Sequence, residues 1–303
     1  MPVKLQKDLS FSNDKSVLLR RARAKFLSKA LAKELLKANP DSKLFKSYRG
    51  TLSCSSILQQ TGKNLATVYC KNRWCAVCNR IRTAKLINGY SKQLEAFKEP
   101  YFVTLTKKTV EGAYLSDSMA LMGEVWRSIM LTRENKHKRK IKGIRKSECT
   151  IRPNGHYHYH FHIILDGKDN AAWLVSQWLR LCPDSDPLAQ DFRPADNGSF
   201  KELFKYFTKL TVKSGSSVAL FPYSRMDVIF TAMYKKRTFQ PFGGVKIFSE
   251  DIEEINAQDY TFLEDCEKVW KWYESDWIDE WGECLTGYSP SESFAKIFES
   301  KNA

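Results

Sequence analysis

The stretch IRKSECTIRPNGHYHYHFHIIL (144–165) decides the fold. Its second half alternates strictly, so in an extended strand His156, His158, His160 and His162 share one face while Tyr157, Tyr159, Phe161 and Ile163 share the other. The aromatic face packs into a core. The imidazole face, with side chains two residues apart, can converge on one metal ion. Four of the chain's five histidines lie in this run. A three-residue loop at Pro153-Asn154-Gly155, with Gly155 left-handed, pairs Arg152 with His156 and sets Glu148 across from His160 on the same face. A two-residue Asn-Gly turn would turn Glu148 to the core instead. Two imidazoles and a carboxylate, with positions left open, suit Mn²⁺ or Mg²⁺.

Outward from this hairpin, YFVTLT (101–106) has the β-branched and aromatic content of a buried strand. Helical spacing runs through 15–38, which Asn39-Pro40 stops, and recurs over about 81–97, 116–132, 171–181 and 199–211. Residues 217–248 read as more β-rich, and an acidic, Trp-rich tail reads as helical from about 259 to 281. The fold expected is α+β, a central antiparallel sheet with flanking helices, plus a Cys-rich zinc-binding insertion. The expected organisation is a basic helical segment at 1–49, a cysteine-bearing segment at 50–98, a domain around the histidine hairpin at 99–248 and the acidic tail at 249–303.

The 303 residues carry 49 Lys+Arg against 34 Asp+Glu, a net charge of +15. Charge is uneven. Residues 249–286 hold 13 acidic side chains against Lys268 and Lys271, which leaves 47 Lys+Arg against 21 Asp+Glu elsewhere. So basic a body points to a polyanionic partner, nucleic acid by default. With 43% hydrophobic and 13% aromatic residues the chain is no disordered tract. No stretch approaches the roughly 20 apolar residues of a membrane span, the N-terminus lacks a secretory apolar segment, and a cytoplasmic location is expected. No GxxxxGK[ST] phosphate loop occurs.

Four of the eight cysteines cluster as Cys54-x15-Cys70-x4-Cys75-x2-Cys78. Two close groups of soft ligands separated by a loop suit a tetrahedral, structural Zn²⁺. Lys71, Arg73 and Arg80 beside them favour thiolates and suit a phosphate backbone. In SFKELFKYFTKL (199–210), Glu202, Tyr206 and Lys209 lie at i, i+4 and i+7, one stripe off the apolar face. A tyrosine beside a lysine and a carboxylate can be a nucleophile with its helpers. Ser199-x-x-Glu202 is also a capping box, and a flanking Tyr also serves plain amphipathic packing.

In order along the chain, YFVTLT, the His160-Phe161-His162 strand, and a helix with Tyr206 and downstream Lys209 resemble the HUH endonucleases. More closely, they resemble the rolling-circle replication initiator (Rep) proteins of small plasmids. The likeness extends to the cysteine cluster ahead of the first motif, to Glu148, and to Glu202 four residues before Tyr206, and covers roughly residues 50–248. Where that family often has His-Pro-His-x-His, this chain has Tyr159 in place of the Pro and His156 as an extra imidazole; His158 is a further candidate ligand.

The resemblance implies an HUH, ferredoxin-like domain that nicks one DNA strand. His160, His162 and Glu148 would hold the catalytic ion, and Tyr206 would attack phosphorus to leave a 5′-phosphotyrosine and a 3′-hydroxyl primer. Glu202 would act as general base for a terminating water, and Lys209 would stabilise developing charge. Trp74, Tyr101 and the basic run 133–146 are candidate contacts to single-stranded and origin DNA. With no phosphate loop, unwinding would fall to a host helicase. Rival readings are a relaxase or single-Tyr transposase on the same chemistry, and a non-catalytic zinc protein that binds nucleic acid.

Overall fold

The structure, a computed structural model, describes residues 15–62, 64–204, 211–214, 217–220, 223–246, 266–292 and 295. Helix α1 (Lys15–Ala38) and α2 (Phe45–Leu52) precede strands β1 (Ile57–Thr61) and β2 (Asn64–Thr67), then α3 (Ala76–Glu95). Next come β3 (Pro100–Thr106), α4 (Leu115–Asn135), β4 (Gly143–Ile151), β5 (Tyr157–Asp166), α5 (Lys168–Leu181), β6 (Asp191–Pro194) and α6 (Asn197–Phe204). The chain continues through β7 (Thr211–Ser214), β8 (Ser217–Leu220), α7 (Tyr223–Ala232), β9 (Phe239–Phe242), β10 (Lys268–Tyr273) and β11 (Asp276–Ile278). Among the described residues, no helix is long and apolar enough to cross a membrane.

The chain divides into two compact units, the first taking its described residues from 85–204 and 228–246 and the second from the rest. The first is built on a five-stranded sheet of order β6-β3-β5-β4-β9 in which every pairing is antiparallel. This is the central antiparallel sheet with flanking helices that the sequence leads one to expect. Tyr157, Tyr159, Phe161 and Ile163 are buried. Phe161 meets Trp126 of α4 and Trp178 of α5 edge-on, so those helices cover the aromatic face. On the opposite face Phe102, Ile144 and Ile164 pack with Tyr90 and Leu94 of α3 and with Phe200, Leu203 and Phe204 of α6. The histidine face is therefore roofed at its Ile164 end and carries polar groups at the other. Gly143, where β4 begins, has no room for a side chain, since a Cβ there would lie 2.4 Å from the Ile164 carbonyl.

In the second unit a four-stranded sheet of order β11-β10-β1-β2 carries the tail. The expected helix over 259–281 is corrected here: 259–265 lie outside the described residues, and 268–278 form a strand hairpin whose first strand pairs with β1. The acidic side chains suggested a helix, but KVWKWY has a period of two, with Trp270 and Trp272 on one side, and aromatics favour strands. Trp270 and Trp277 are buried with Ala22 and Leu58, and the Trp277 indole N–H donates to the Ser55 carbonyl at 2.8 Å. Within the stretch expected to be β-rich, 217–248, the helix α7 intervenes, carrying Met226, Ile229 and Phe230 at helical spacing.

Truncating a tryptophan this buried leaves a large cavity and an unpaired carbonyl. Trp277→Ala is expected to cost about 3–5 kcal/mol of stability. Urea denaturation followed by tryptophan fluorescence measures it; an unchanged midpoint would mean that the tail does not hold this sheet together.

Candidate metal centres

The hairpin turn is built as its three-residue reading requires. Gly155 has φ +84°, the Gly155 N–H donates to the Arg152 carbonyl at 2.8 Å, and the Arg152 N–H donates to the His156 carbonyl at 2.8 Å. The resulting register sets Glu148 opposite His160 and Lys146 opposite His162, while β3 brings Thr104 and Thr106 alongside from the other edge. One ligand atom each from Glu148, His160 and His162 lies within 4.8 Å of the others. The two Nε2 atoms of His160 and His162 are 3.1 Å apart, and Glu148 Oε2 is 3.6 Å from His162 Nε2.

The second ring nitrogens explain this convergence. His160 Nδ1 donates to the His158 carbonyl at 3.1 Å, which turns the Nε2 lone pair toward His162. Thr104 Oγ1 faces His162 Nδ1 at 3.4 Å, and the His162 ring stacks on Phe102 at 5.2 Å between centroids. Burial above all, with Lys146 and Arg152 adding to it, holds the His160 imidazole down at about 4; it is neutral and able to ligate at neutral pH. Two imidazole nitrogens and a carboxylate oxygen facing one point are a donor set that a divalent cation fits.

His158 stands apart. Arg152 donates to its Nδ1 at 2.8 Å, its Nε2 is hydrogen-bonded to Thr106 Oγ1, and that hydroxyl donates in turn to the Lys107 carbonyl at 3.1 Å. With both ring nitrogens engaged by protein groups, His158 is held as the Nε2–H tautomer and stacks against His160 at 4.9 Å. Desolvation, then the nearby His160 and Arg152, lowers it to about 4.

Helix α6 brings Glu202 to the same face, where its charge acts on His160. The cap of α6 is Asp196 with Ser199, not Ser199 with Glu202. Asp196 Oδ1 accepts the Ser199 N–H at 2.7 Å, and Ser199 Oγ accepts the Asp196 N–H at 3.3 Å. Tyr206 and Lys209 lie outside the described residues.

The four clustered cysteines meet in the second unit. Cys54 and Cys78 sulfurs are 3.5 Å apart, Cys70 and Cys78 3.6 Å, and Cys54 and Cys75 3.6 Å. These spacings exceed the roughly 2.05 Å of a disulfide and approach the edge, about 3.8 Å, of a tetrahedron with 2.3 Å metal–sulfur bonds. The donor set fits Zn²⁺.

Sequence reasoning missed what surrounds these sulfurs. Arg21, Lys25 and Ser28 form one stripe of α1. The Lys25 ammonium, fully buried, donates to the carbonyls of Leu52 (2.9 Å) and Cys54 (2.5 Å) and to Ser56 Oγ (2.8 Å). Desolvation lowers it to about 8, against the pull of Cys54. Ser28 Oγ accepts the Ala76 N–H at 2.8 Å and lies 3.7 Å from Cys75 Sγ, and Arg21 donates to the Tyr69 hydroxyl at 2.6 Å. Their 21/25/28 spacing was readable as a helical stripe, but a basic stripe ordinarily reads as a solvated face.

Other expected DNA contacts are corrected. Trp74 and Tyr101 are only 5% and 8% exposed, so neither ring is open for a base to stack on. In the basic run, Arg145 and Lys146 are buried, Arg145 lying 4.3 Å over the Phe161 ring on the core face, whereas Lys136, Lys138 and Lys140 are exposed and stay open to a phosphate backbone. Arg80, exposed like Arg20 and Arg23, is held below its usual value by partial desolvation and then by those two arginines, a grouping of like charge from α1 and α3.

With this geometry in hand, residues 62–169 match a family model described as "Replication protein". A curated protein from Lentilactobacillus hilgardii named "Protein rep" is 29% identical over 143 residues, covering 43% of this chain and 45% of the relative. The chain is similar to replication proteins. The matched segment contains Cys70, Cys75, Cys78, Glu148, His160 and His162, and stops before α6. The likeness to plasmid replication initiators drawn from the motifs is thereby supported, over less than half of the relative's length. No solved structure matches.

Replacing Lys25 by Met keeps the volume but takes the ammonium donor from three acceptors, of which the Leu52 carbonyl and Ser56 hydroxyl keep their bond to each other. Lys25→Met is expected to cost about 1–3 kcal/mol, whereas Lys29→Met, on a less buried position of α1, stays near neutral. Thermal denaturation of both variants decides this; equal midpoints would show that Lys25 does not brace the Cys54 loop.

Proposed function

We propose that the protein is a plasmid replication initiator that nicks one strand of origin DNA through Tyr206 and so starts rolling-circle replication. The convergence of Glu148, His160 and His162 at one point carries the reading, and the similarity to replication proteins supports it. A divalent ion such as Mn²⁺ or Mg²⁺ at this triad would supply Lewis-acid polarisation of the scissile phosphodiester. The Tyr206 oxygen forms the new bond to phosphorus as the P–O3′ bond breaks, leaving a 3′-hydroxyl and a protein-linked 5′-phosphate. Glu202, on the same face as the triad, acts as general base for the water that ends the replication round. Lys209 offsets charge on the phenolate or the phosphorane.

Around this centre the neutral His160, oriented by the His158 carbonyl, and His162, faced by the Thr104 hydroxyl, hold their places before substrate arrives. That preorganisation keeps their reorganisation out of the nicking step. The Arg20–Arg23–Arg80 grouping supplies a place for the phosphate backbone, and the cysteine cluster binds a structural Zn²⁺. A host helicase would unwind the duplex.

The test is a nicking assay on labelled single-stranded, origin-like oligonucleotides with Mn²⁺, resolved on a denaturing gel. Wild type is expected to give a covalent protein–DNA band that chelator abolishes and that Tyr206→Phe and His162→Ala lack. Survival of the band in Tyr206→Phe would move the nucleophile to another residue. DNA binding with no cleavage on any substrate would favour a zinc-dependent binding protein instead. In Mn²⁺ titrations followed by electron paramagnetic resonance, His158→Gln is expected to bind within about threefold of wild type. His160→Gln should lose at least tenfold, in line with the usual cost of disturbing metal ligation. Equal losses in the two variants would contradict the division between His158 and His160. Co²⁺ reconstitution is expected to give the intense visible bands of a four-sulfur tetrahedral site, weakened in Cys78→Ser.

A further inference from the structure

Lys146 is an unexpected neighbour for a cation site. Its side chain is 3% exposed, its ammonium stands 3.1 Å from Glu148 Oε2, and it also donates to the Glu202 carbonyl of α6 at 3.0 Å. Burying an ammonium against a metal ligand places two cations in competition for one carboxylate. Of the three converging groups only Glu148 is anionic, and Lys146 already balances that charge. Arg152 and Glu202, the other charged groups acting on His160, oppose each other in sign. Among the described residues, the charged groups named here balance one another, so a divalent ion at this triad adds positive charge that they do not offset. Such a pocket holds a cation weakly by itself and gains from an anion that completes it.

We propose that Lys146 couples the two ligands of this site, keeping a divalent metal alone weakly bound and making metal and a phosphodiester bind cooperatively. The proposal rests on the reading of Glu148, His160 and His162 as a metal site. By the same bond to the Glu202 carbonyl, Lys146 fixes α6 against the triad, so it is a positioning residue. Metal would then load chiefly together with DNA, and the free protein would keep little of it.

The experiment is a Mn²⁺ titration followed by electron paramagnetic resonance, with and without a thymidine decanucleotide. In wild type the oligonucleotide is expected to tighten Mn²⁺ roughly tenfold, within the usual range of such couplings. Lys146→Met is expected to tighten Mn²⁺ alone by a similar factor and to shrink the oligonucleotide's effect, while Lys146→Arg keeps the wild-type pattern. Coupling unchanged in Lys146→Met overturns the proposal, as does an oligonucleotide without effect on wild type, which needs no variant to fold. Mn²⁺ binding that His162→Ala abolishes but Lys146→Met leaves alone removes the proposal and keeps the metal site. No Mn²⁺ binding at all removes both.

Discussion

The pairing of Glu148 with His160 across the β4–β5 hairpin is the constraint on which the first unit's chemistry depends. It is set several residues away, by one glycine at φ +84° that lets three residues, rather than two, join the strands. Because side chains alternate, a slip of one residue would send Glu148 to the face packed by Trp126 and Trp178 and bring Cys149 in its place. The cost would be a carboxylate buried in an apolar layer and a metal site with no anionic ligand. Packing on one face and coordination on the other are thus enforced by the same register, and each protects the other from drift.

Both candidate centres are held from behind in the same manner. At the triad, hydrogen bonds from ring nitrogens to a carbonyl and to the Thr104 hydroxyl choose tautomers and aim lone pairs. At the sulfurs, a stripe of α1 grips the backbone that carries Cys54 and Cys75. In neither place do the converging atoms owe their positions to one another alone, which is what a site needs if it is to stay formed between ligands.

Much of this was legible because it rests on local rules. Strand alternation, the turn at Pro153-Asn154-Gly155 and the cysteine spacing each carry their geometry within a few residues. What escaped was long-range. Tail residues 268–278 look helical by charge, yet β1 offers an edge to which KVWKWY adds, and tertiary pairing prevails over composition. Lys25 and Lys146 escaped because a lysine is assigned to solvent by default; only the carbonyls and carboxylate assembled around them by distant segments make their burial affordable. Trp74 and Tyr101, chosen as stacking platforms for being aromatic in a basic chain, turned out to be needed inside. Tyr206 and Lys209 rest on the motif alone.

The pairing of β10 with β1 also orders events in time. Trp270 bonds to Gln60 from 210 residues further along the chain, so the sheet beside the cysteines cannot be completed until translation has nearly passed the tail. At ribosomal speeds that is a delay of roughly 10–40 s. Meanwhile the β3–β4–β5 sheet, whose strands are close in sequence, has all it needs to fold. During that interval the exposed edge of β1 and four free thiols sit together on a nascent chain, open to mispairing or oxidation. Early capture of a metal by the sulfurs would shield the thiols while the last strand is being made.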